Sequence, residues 1–321
     1  MDRRRLVGVL LVVVSAIAFG SGALFAKPVY AVGLDWLTLL VWRFGIGAAL
    51  AWGWLLASPT RRAALRSTSR RHALAALGLG AIYTLNSGTY FAALETVPAS
   101  LASLIVYIYP VLVAVLTLRI GRPLSGRGPW VALAIATVGA VLAVGGVDPG
   151  RVPPLGGIAL AVASPIIYSG WIVLSARLGG ERRDRSGDEG DEGAGAAVAS
   201  ALMMTSTWGI LTSLAIVTAH PIAPAAIPGG AWPGLIGIGL VSTFIAIQTF
   251  YGGARRIGAA QAALISTIEP AYTIVMAAIL FGERLAPIQI VGGCLIMGAV
   301  ILAQWASRSS STRTELRLAD E

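Results

Sequence analysis

PASLASLIVYIYP, residues 98–110, lies over GAAQAALISTIEP, residues 258–270, without a gap. Six positions are identical: Ala99 with Ala259, Ala102 with Ala262, Leu104 with Leu264, Ile105 with Ile265, Ile108 with Ile268 and Pro110 with Pro270. Alanine, leucine and isoleucine are frequent in this chain, so shared composition supplies part of the match. The shared proline and the flanking agreement supply the rest, with YFAAL (90–94) over FYGGA (250–254) and VGAVL (138–142) over MGAVI (297–301). Self-similarity of this kind marks an internal duplication.

Both copies sit among long apolar runs. Hydrophobic residues make up 56% of the 321 and charged residues 12%, against about one-quarter charged in a soluble domain. Apolar runs of about 18 to 22 residues recur along the whole length, which is the pattern of a bundle of membrane-spanning helices. Ten spans are expected, over 6–27, 36–57, 73–94, 98–118, 128–146, 155–176, 197–219, 232–254, 259–280 and 287–305. The opening MDRRRLVGVLL looks like a cleavable signal, but its apolar run continues to Phe25 and nine more follow, so it reads as the first span.

Arginines orient the bundle. With the N terminus inside, the cytoplasmic connections hold Arg3 to Arg5, Arg61, Arg62, Arg66, Arg70, Arg71, Arg119, Arg122, Arg127, Arg177, Arg182, Arg183, Arg185, Arg255 and Arg256, then Arg308, Arg313 and Arg317 in the tail. Only Lys27, Arg151 and Arg284 fall outside. This is the positive-inside bias, and it places both termini in the cytoplasm. The net charge of +9 is therefore topogenic, and the scattered short basic loops, without interleaved aromatics, exclude a nucleic-acid partner. The mid-chain ERRDRSGDEGDEGAG, residues 181–195, reads as a solvated, flexible linker. The expected divisions are 1–146 and 147–306, one repeat each, and a cytoplasmic tail at 307–321.

Duplicating five helices has a geometric consequence. A unit that begins inside ends outside, so its copy is inverted in the membrane. The fold class expected is an all-α integral membrane protein of ten transmembrane helices, built as two inverted five-helix repeats around a central cavity. Inverted repeats suit transport, because rocking between two related arrangements opens a central site to one side and then the other.

Pro110 and Pro270 fall at similar depth in spans four and nine, and each is expected to kink its helix beside the cavity and free a backbone carbonyl there. Polar and aromatic residues keep them company: Tyr107 and Tyr109 before Pro110, Glu269 before Pro270, Tyr83, Asn86 and Tyr90 on one face of span three, Tyr168 and Trp171 in span six, and Gln248 in span eight. These are the candidate substrate-binding residues; an interhelical hydrogen-bond cluster is the plainer reading of each. Trp36, Trp130, Trp232 and Trp305 read as interfacial anchors and Lys27 as a snorkelling one. Glu269 is either a proton-sensitive group lining the cavity or a carboxyl satisfying backbone donors near Pro270. Arg43 lies roughly 10 Å inside span two and needs a partner: Glu269, an unwound carbonyl or a substrate carboxylate. Glu283 and Arg284 read as a turn or cap tie.

SAIAFGSGALFAK (15–27), WRFGIGA (42–48), the paired YIYP and TIEP, and FGERL (281–285) give the chain, from about Leu6 to Trp305, a resemblance to the drug/metabolite transporter superfamily, in particular its EamA type. The resemblance implies two inverted five-helix repeats around a cavity, and export or exchange of small metabolites, often amino acids or related amphipathic molecules. The halves differ: the second has no counterpart of Arg43, and the first lacks the glutamate of TIEP.

An enzyme finds no support. His72 and His220 stand beside no Ser or Cys motif, and there is no G-x-S-x-G, P-loop or H-E-x-x-H. The single cysteine, Cys294, makes neither a disulfide nor a thiolate metal site within the chain, and no cofactor or metal is expected. The expected partners are a small-molecule substrate and the lipid bilayer; monomer and homodimer are both compatible with the sequence. A non-transporting membrane scaffold or receptor is the alternative, and it requires Asn86, Gln248 and Glu269 to satisfy one another. Arginine far outnumbers lysine, which points to a GC-rich bacterial or archaeal genome and so to the cell membrane.

Overall fold

The computed structural model describes residues 3–109, 111–113, 116, 128–145, 153–178, 189–257, 265–266 and 268–302. Among them the regular structure is helical throughout. The first half supplies α1 (Arg3–Ala31), α2 (Trp36–Leu56), α3 (Pro59–Ser67), α4 (Arg70–Thr96), α5 (Ala99–Val106) and α6 (Gly128–Gly145). The second supplies α7 (Leu155–Leu178), α8 (Glu189–Val217), α9 (Trp232–Gly239), a π-helical turn at Leu240–Ile245, α10 (Ala246–Ile257), α11 (Ile268–Phe281) and α12 (Pro287–Leu302).

Among the described residues, five helical stretches are long and apolar enough to cross a membrane: Leu6–Ala31, Trp36–Leu56, Leu155–Leu174, Ala194–Val217 and Gly229–Phe250. Residue distribution across the bundle agrees with lipid outside. α1 turns Leu6, Leu10, Val14 and Ile17 outward at helical spacing, while Ser15, Ala16, Ala18, Ala23 and Ala26 are buried. Large apolar groups outside and small or hydroxylated groups inside let helix backbones approach closely in a solvent that supplies no hydrophobic drive between them. The buried hydroxyls then bond across helices, as Ser15 Oγ does to the Ala246 carbonyl at 2.7 Å.

The packing pairs the two halves reciprocally. α1 lies along α9, the π turn and α10, as α7 lies along α4; α4 packs on α8, as the π turn and α9 pack on α2. α1 touches α11 as α7 touches α5, while α2 meets α8 and α5 meets α11. Exchanging each helix for its counterpart in the other half returns these contacts, while α3 on α8 and α1 on α4 have no counterpart among the described residues.

Three local expectations change. Residues 59–67, expected as a connection, form α3, a short helix that buries Ala64, packs on α8 and places the Arg61 guanidinium 3.8 Å above the Trp54 ring. Helix α8 begins at Glu189, inside the stretch expected as linker, while 181–188 lie outside the described residues. Lys27 is not a snorkelling anchor. Its ammonium donates to the carbonyls of Leu94 at 2.8 Å and Val97 at 2.7 Å, acceptors that the C-terminus of α4 leaves without helical donors.

Candidate functional site

In each half the helical backbone turns, at points one residue apart in the alignment of the two repeats. α5 ends at Val106, Tyr107 and Ile108 form a turn, and helical backbone resumes at Tyr109; in the other half Ile265 is helical, Ser266 is a turn and α11 starts at Ile268. Pro270 thus stands in the first turn of α11, where its missing N–H would have had no helical partner, rather than kinking a continuous helix. Pro110 lies outside the described residues. The break also gives Glu269 a physical reason: it occupies the first turn of α11, where a carboxylate opposes the partial positive charge of the helix start, an effect worth roughly 0.3 to 1 kcal/mol.

The two breaks are joined directly. Tyr107, 2% exposed, donates its hydroxyl to the Ser266 carbonyl, which also accepts from the Glu269 N–H at 3.0 Å. Phenylalanine at 107 keeps the ring and removes this tie, so Tyr107→Phe is expected to lower stability by about 1 to 2 kcal/mol. Thermal unfolding in detergent measures it; a variant as stable as its parent would show that the breaks hold their places without the hydroxyl.

A continuous band of rings runs away from this junction. Tyr107 meets Tyr109 at 5.6 Å between centroids, Tyr109 meets Tyr168 at 4.8 Å, and Tyr168 stacks on Trp171 at 5.8 Å with an interplanar angle of 10°. Trp171 continues to Tyr83 at 5.2 Å and Tyr83 to Phe44 at 6.0 Å. The Arg43 guanidinium then lies 5.1 Å from the Phe44 ring and 4.6 Å from that of Phe91, which contacts Tyr90 at 5.2 Å. Four helices, α2, α4, α7 and the stretch following α5, contribute to this one wall. Glu269, half-buried, is within electrostatic reach of Tyr90, Tyr107 and Tyr109.

The remaining candidates are held by other partners. Asn86 accepts from Ser164 Oγ at 3.0 Å, tying α4 to α7 between Tyr83 and Tyr90. Gln248 donates to Ser200 Oγ at 3.4 Å, on α8, and makes no ring contact with the aromatic band. Asn86, Gln248 and Glu269 therefore do not satisfy one another. Trp171 also fixes its own place through an Nε1–H bond to the Leu79 carbonyl at 2.9 Å, and Ser169 Oγ donates to the Tyr109 carbonyl at 3.2 Å, steadying the chain after the first break.

Phe44, Phe91, Ser266 and Thr243 belong to the site and were not anticipated. Phe44 follows Arg43 in WRFGIGA and Phe91 follows Tyr90 in YFAAL, so the two rings were in view but lacked the polar atom that draws notice. Thr243 carries no sequence signal: it reaches Arg43 Nε at 2.9 Å because the π turn shifts its register.

A lipid-compatible exterior around an aromatic and charged interior defines a multi-pass membrane protein of the transport class. The chain belongs to the EamA-like transporter family, which it matches over residues 6–145 and 155–305, and so to the drug/metabolite transporter superfamily. It is 27% identical over 298 residues to an uncharacterized transporter, YcbK, of Bacillus subtilis, covering 90% of each chain. It is 25% identical over 303 residues to an uncharacterized transporter of Archaeoglobus fulgidus, covering 92% of this chain and 96% of the relative. A crystal structure 18% identical in sequence shares the fold with a TM-score of 0.64, over 94% of this chain and 98% of the other.

Proposed function

We propose that this transporter is a secondary exporter of small metabolites, amino acids or related amphipathic molecules, working by alternating access between two inverted repeats of five helices each. The observation that carries the reading is the pair of helix breaks, joined by Tyr107 and Ser266 and lying beside the aromatic band. Discontinuous helices at a repeat interface supply free backbone dipoles where a polar substrate can bind without meeting lipid. The reciprocal packing of the halves supports the inverted duplication, since two arrangements related by exchange of the repeats would have closely similar energies. Arginine distribution supports cytoplasmic termini and a place in the cell membrane. Tyr83, Asn86, Tyr90, Tyr107, Tyr109, Tyr168, Trp171 and Glu269 line or brace the path in this reading, Gln248 standing apart on Ser200, and stacking on the rings favours aromatic or amphipathic cargo.

The test compares small molecules, by mass spectrometry, in the medium of cells making the parent and cells making the Tyr109→Ala, Trp171→Ala double variant. A defined class of metabolite is expected outside cells with the parent, with release at least tenfold lower for the variant at equal membrane abundance. Identical media from the two strains would remove the export reading.

A further inference from the structure

We propose that Arg43 selects the cargo, and that it selects for a carboxylate. The inference rests on the transport reading of the cavity and concerns the chemistry which that cavity accepts. Arg43 is only 5% exposed, yet among the described residues no carboxylate stands within ion-pair distance of it. Its surroundings are the Thr243 hydroxyl, the faces of Phe44 and Phe91, and, within electrostatic reach, the phenols of Tyr30, Tyr83 and Tyr90. All of these are neutral groups. A guanidinium stays protonated in proteins, and ring faces offset only part of the penalty of removing it from water.

How it is anchored shows which part of the group is left to act. Thr243 takes the Nε–H, and Thr243 is itself fixed by donating at 2.9 Å to the Ile238 carbonyl five residues back, a spacing set by the π turn. The side of the guanidinium is therefore committed. The two terminal amino groups have no acceptor among the described residues, and this end-on pair is the half of the fork that meets both oxygens of a carboxylate at once. Trp42 Nε1, Arg61 Nε, Thr212 Oγ1 and Ser242 Oγ are sealed polar atoms without partners among the described residues. Ser242 is the second observation. It is fully buried in the same π turn, beside Gly22 and close to Phe91, with a hydroxyl that has no partner among the described residues.

Charge placement completes the match. Tyr90, at the end of the aromatic band, lies within electrostatic reach of both Arg43 and Glu269. A molecule with a carboxylate on Arg43 and an apolar or aromatic body along Tyr83 and Trp171 would neutralise the buried charge as it binds. Positive selection of this kind also rejects the uncharged analogue, because an amide leaves the guanidinium uncompensated.

The test uses purified full-length protein and thermal unfolding with matched probes: phenylacetate, indole-3-acetate and phenylalanine, each beside its carboxamide. At least one acid is expected to raise the parent's midpoint by several degrees while its amide does not. Arg43→Gln is expected to abolish the shift and Arg43→Lys, which keeps the charge without the fork, to retain part of it. Without ligand, Arg43→Gln should unfold no lower than the parent, since it removes an uncompensated buried charge; an arginine with a purely structural role would instead lower it. Amides as effective as acids, an acid response surviving in Arg43→Gln, or no response of the parent to any acid would each overturn the assignment. Equal responses to acids and amides that vanish in the Tyr109→Ala, Trp171→Ala variant would overturn selection by Arg43 but keep the cavity. Arg43-dependent binding without movement of the acid across proteoliposome membranes would overturn transport and keep the site.

Discussion

Valine in place of Gly80 is expected to leave little folded protein. At this point α4 and α8 meet backbone to backbone: a Cβ on Gly80 would collide with the Met203 carbonyl oxygen and fall 2.8 Å from Ser206 Cβ. A carbonyl inside a helix cannot swing aside, so the two helices would have to separate. Separation breaks the bond from Thr207 Oγ1 to the Gly80 carbonyl at 2.9 Å and that from Ser206 Oγ to the Leu77 carbonyl at 2.7 Å. Overpacking of about 2 to 3 kcal/mol and two hydrogen bonds of about 1 kcal/mol each give a loss of roughly 4 to 5 kcal/mol, a large share of the stability of any domain. Gly78, on the same helix, has nothing within 4 Å of the corresponding position and serves as the control. Gly78→Val should change stability by well under 1 kcal/mol. Yield of monodisperse protein and its unfolding in detergent distinguish the two; equal behaviour of both variants would mean that α4 and α8 do not meet at Gly80.

Glu283→Ala is the second large effect, and it acts far from its own helix. Helix α5 starts after Pro98, which has no side-chain acceptor to offer, so its first amides need a cap from elsewhere. Glu283 provides it, accepting from Ala99 N–H at 3.0 Å, Ser100 N–H at 2.9 Å and Ser100 Oγ at 2.6 Å. Gly282, with φ of +66°, makes this reach possible: the left-handed turn ends α11 and carries the next residue back onto α5. Removing the carboxylate leaves buried donors unpaired in a medium that supplies few replacements, and is expected to cost about 3 kcal/mol. Glu283→Gln, with one acceptor oxygen instead of two, should lose about half as much. Amide hydrogen exchange at Ala99 and Ser100 gives an independent reading: fastest exchange in the alanine variant, with the glutamine variant between it and the parent, supports the cap, and unchanged protection in both would remove it.

The cap also explains how Lys27 and Glu283 cooperate. One ammonium closes the C-terminus of α4 and one carboxylate closes the N-terminus of α5, with only Val97 and Pro98 between the helices. FGERL was legible as a turn or cap tie because glycine followed by a charge is a local signal. The helix that it caps was not, since the partner lies 183 residues away.

Much of the site was visible beforehand. The prolines and their aromatic neighbours pointed to Tyr107, Tyr109, Tyr168 and Trp171, which the bundle brings into one band, because polar or aromatic groups within apolar spans must find protein partners. Gln248 satisfied the same rule through Ser200, away from the band, and no periodicity on span eight could have told the two outcomes apart. The breaks at Tyr107 and Ser266 were expected as kinks at the prolines. The break at Ser266 precedes Pro270, because a proline is readily placed in the first turn of a helix, where its missing N–H has no helical acceptor.

The sequence by itself determined that this chain enters lipid, that its halves are copies and that it resembles EamA transporters. Those conclusions follow from composition and order, which survive any arrangement of the helices. Tertiary structure alone decided what each buried polar group meets: Arg43 with Thr243 and two rings rather than Glu269, Lys27 and Glu283 at opposite ends of one helix corner, Tyr107 on the other repeat's carbonyl. A hydrogen bond is fixed to within a few tenths of an ångström, and partners 67 to 200 residues apart come that close only through the packing of whole helices.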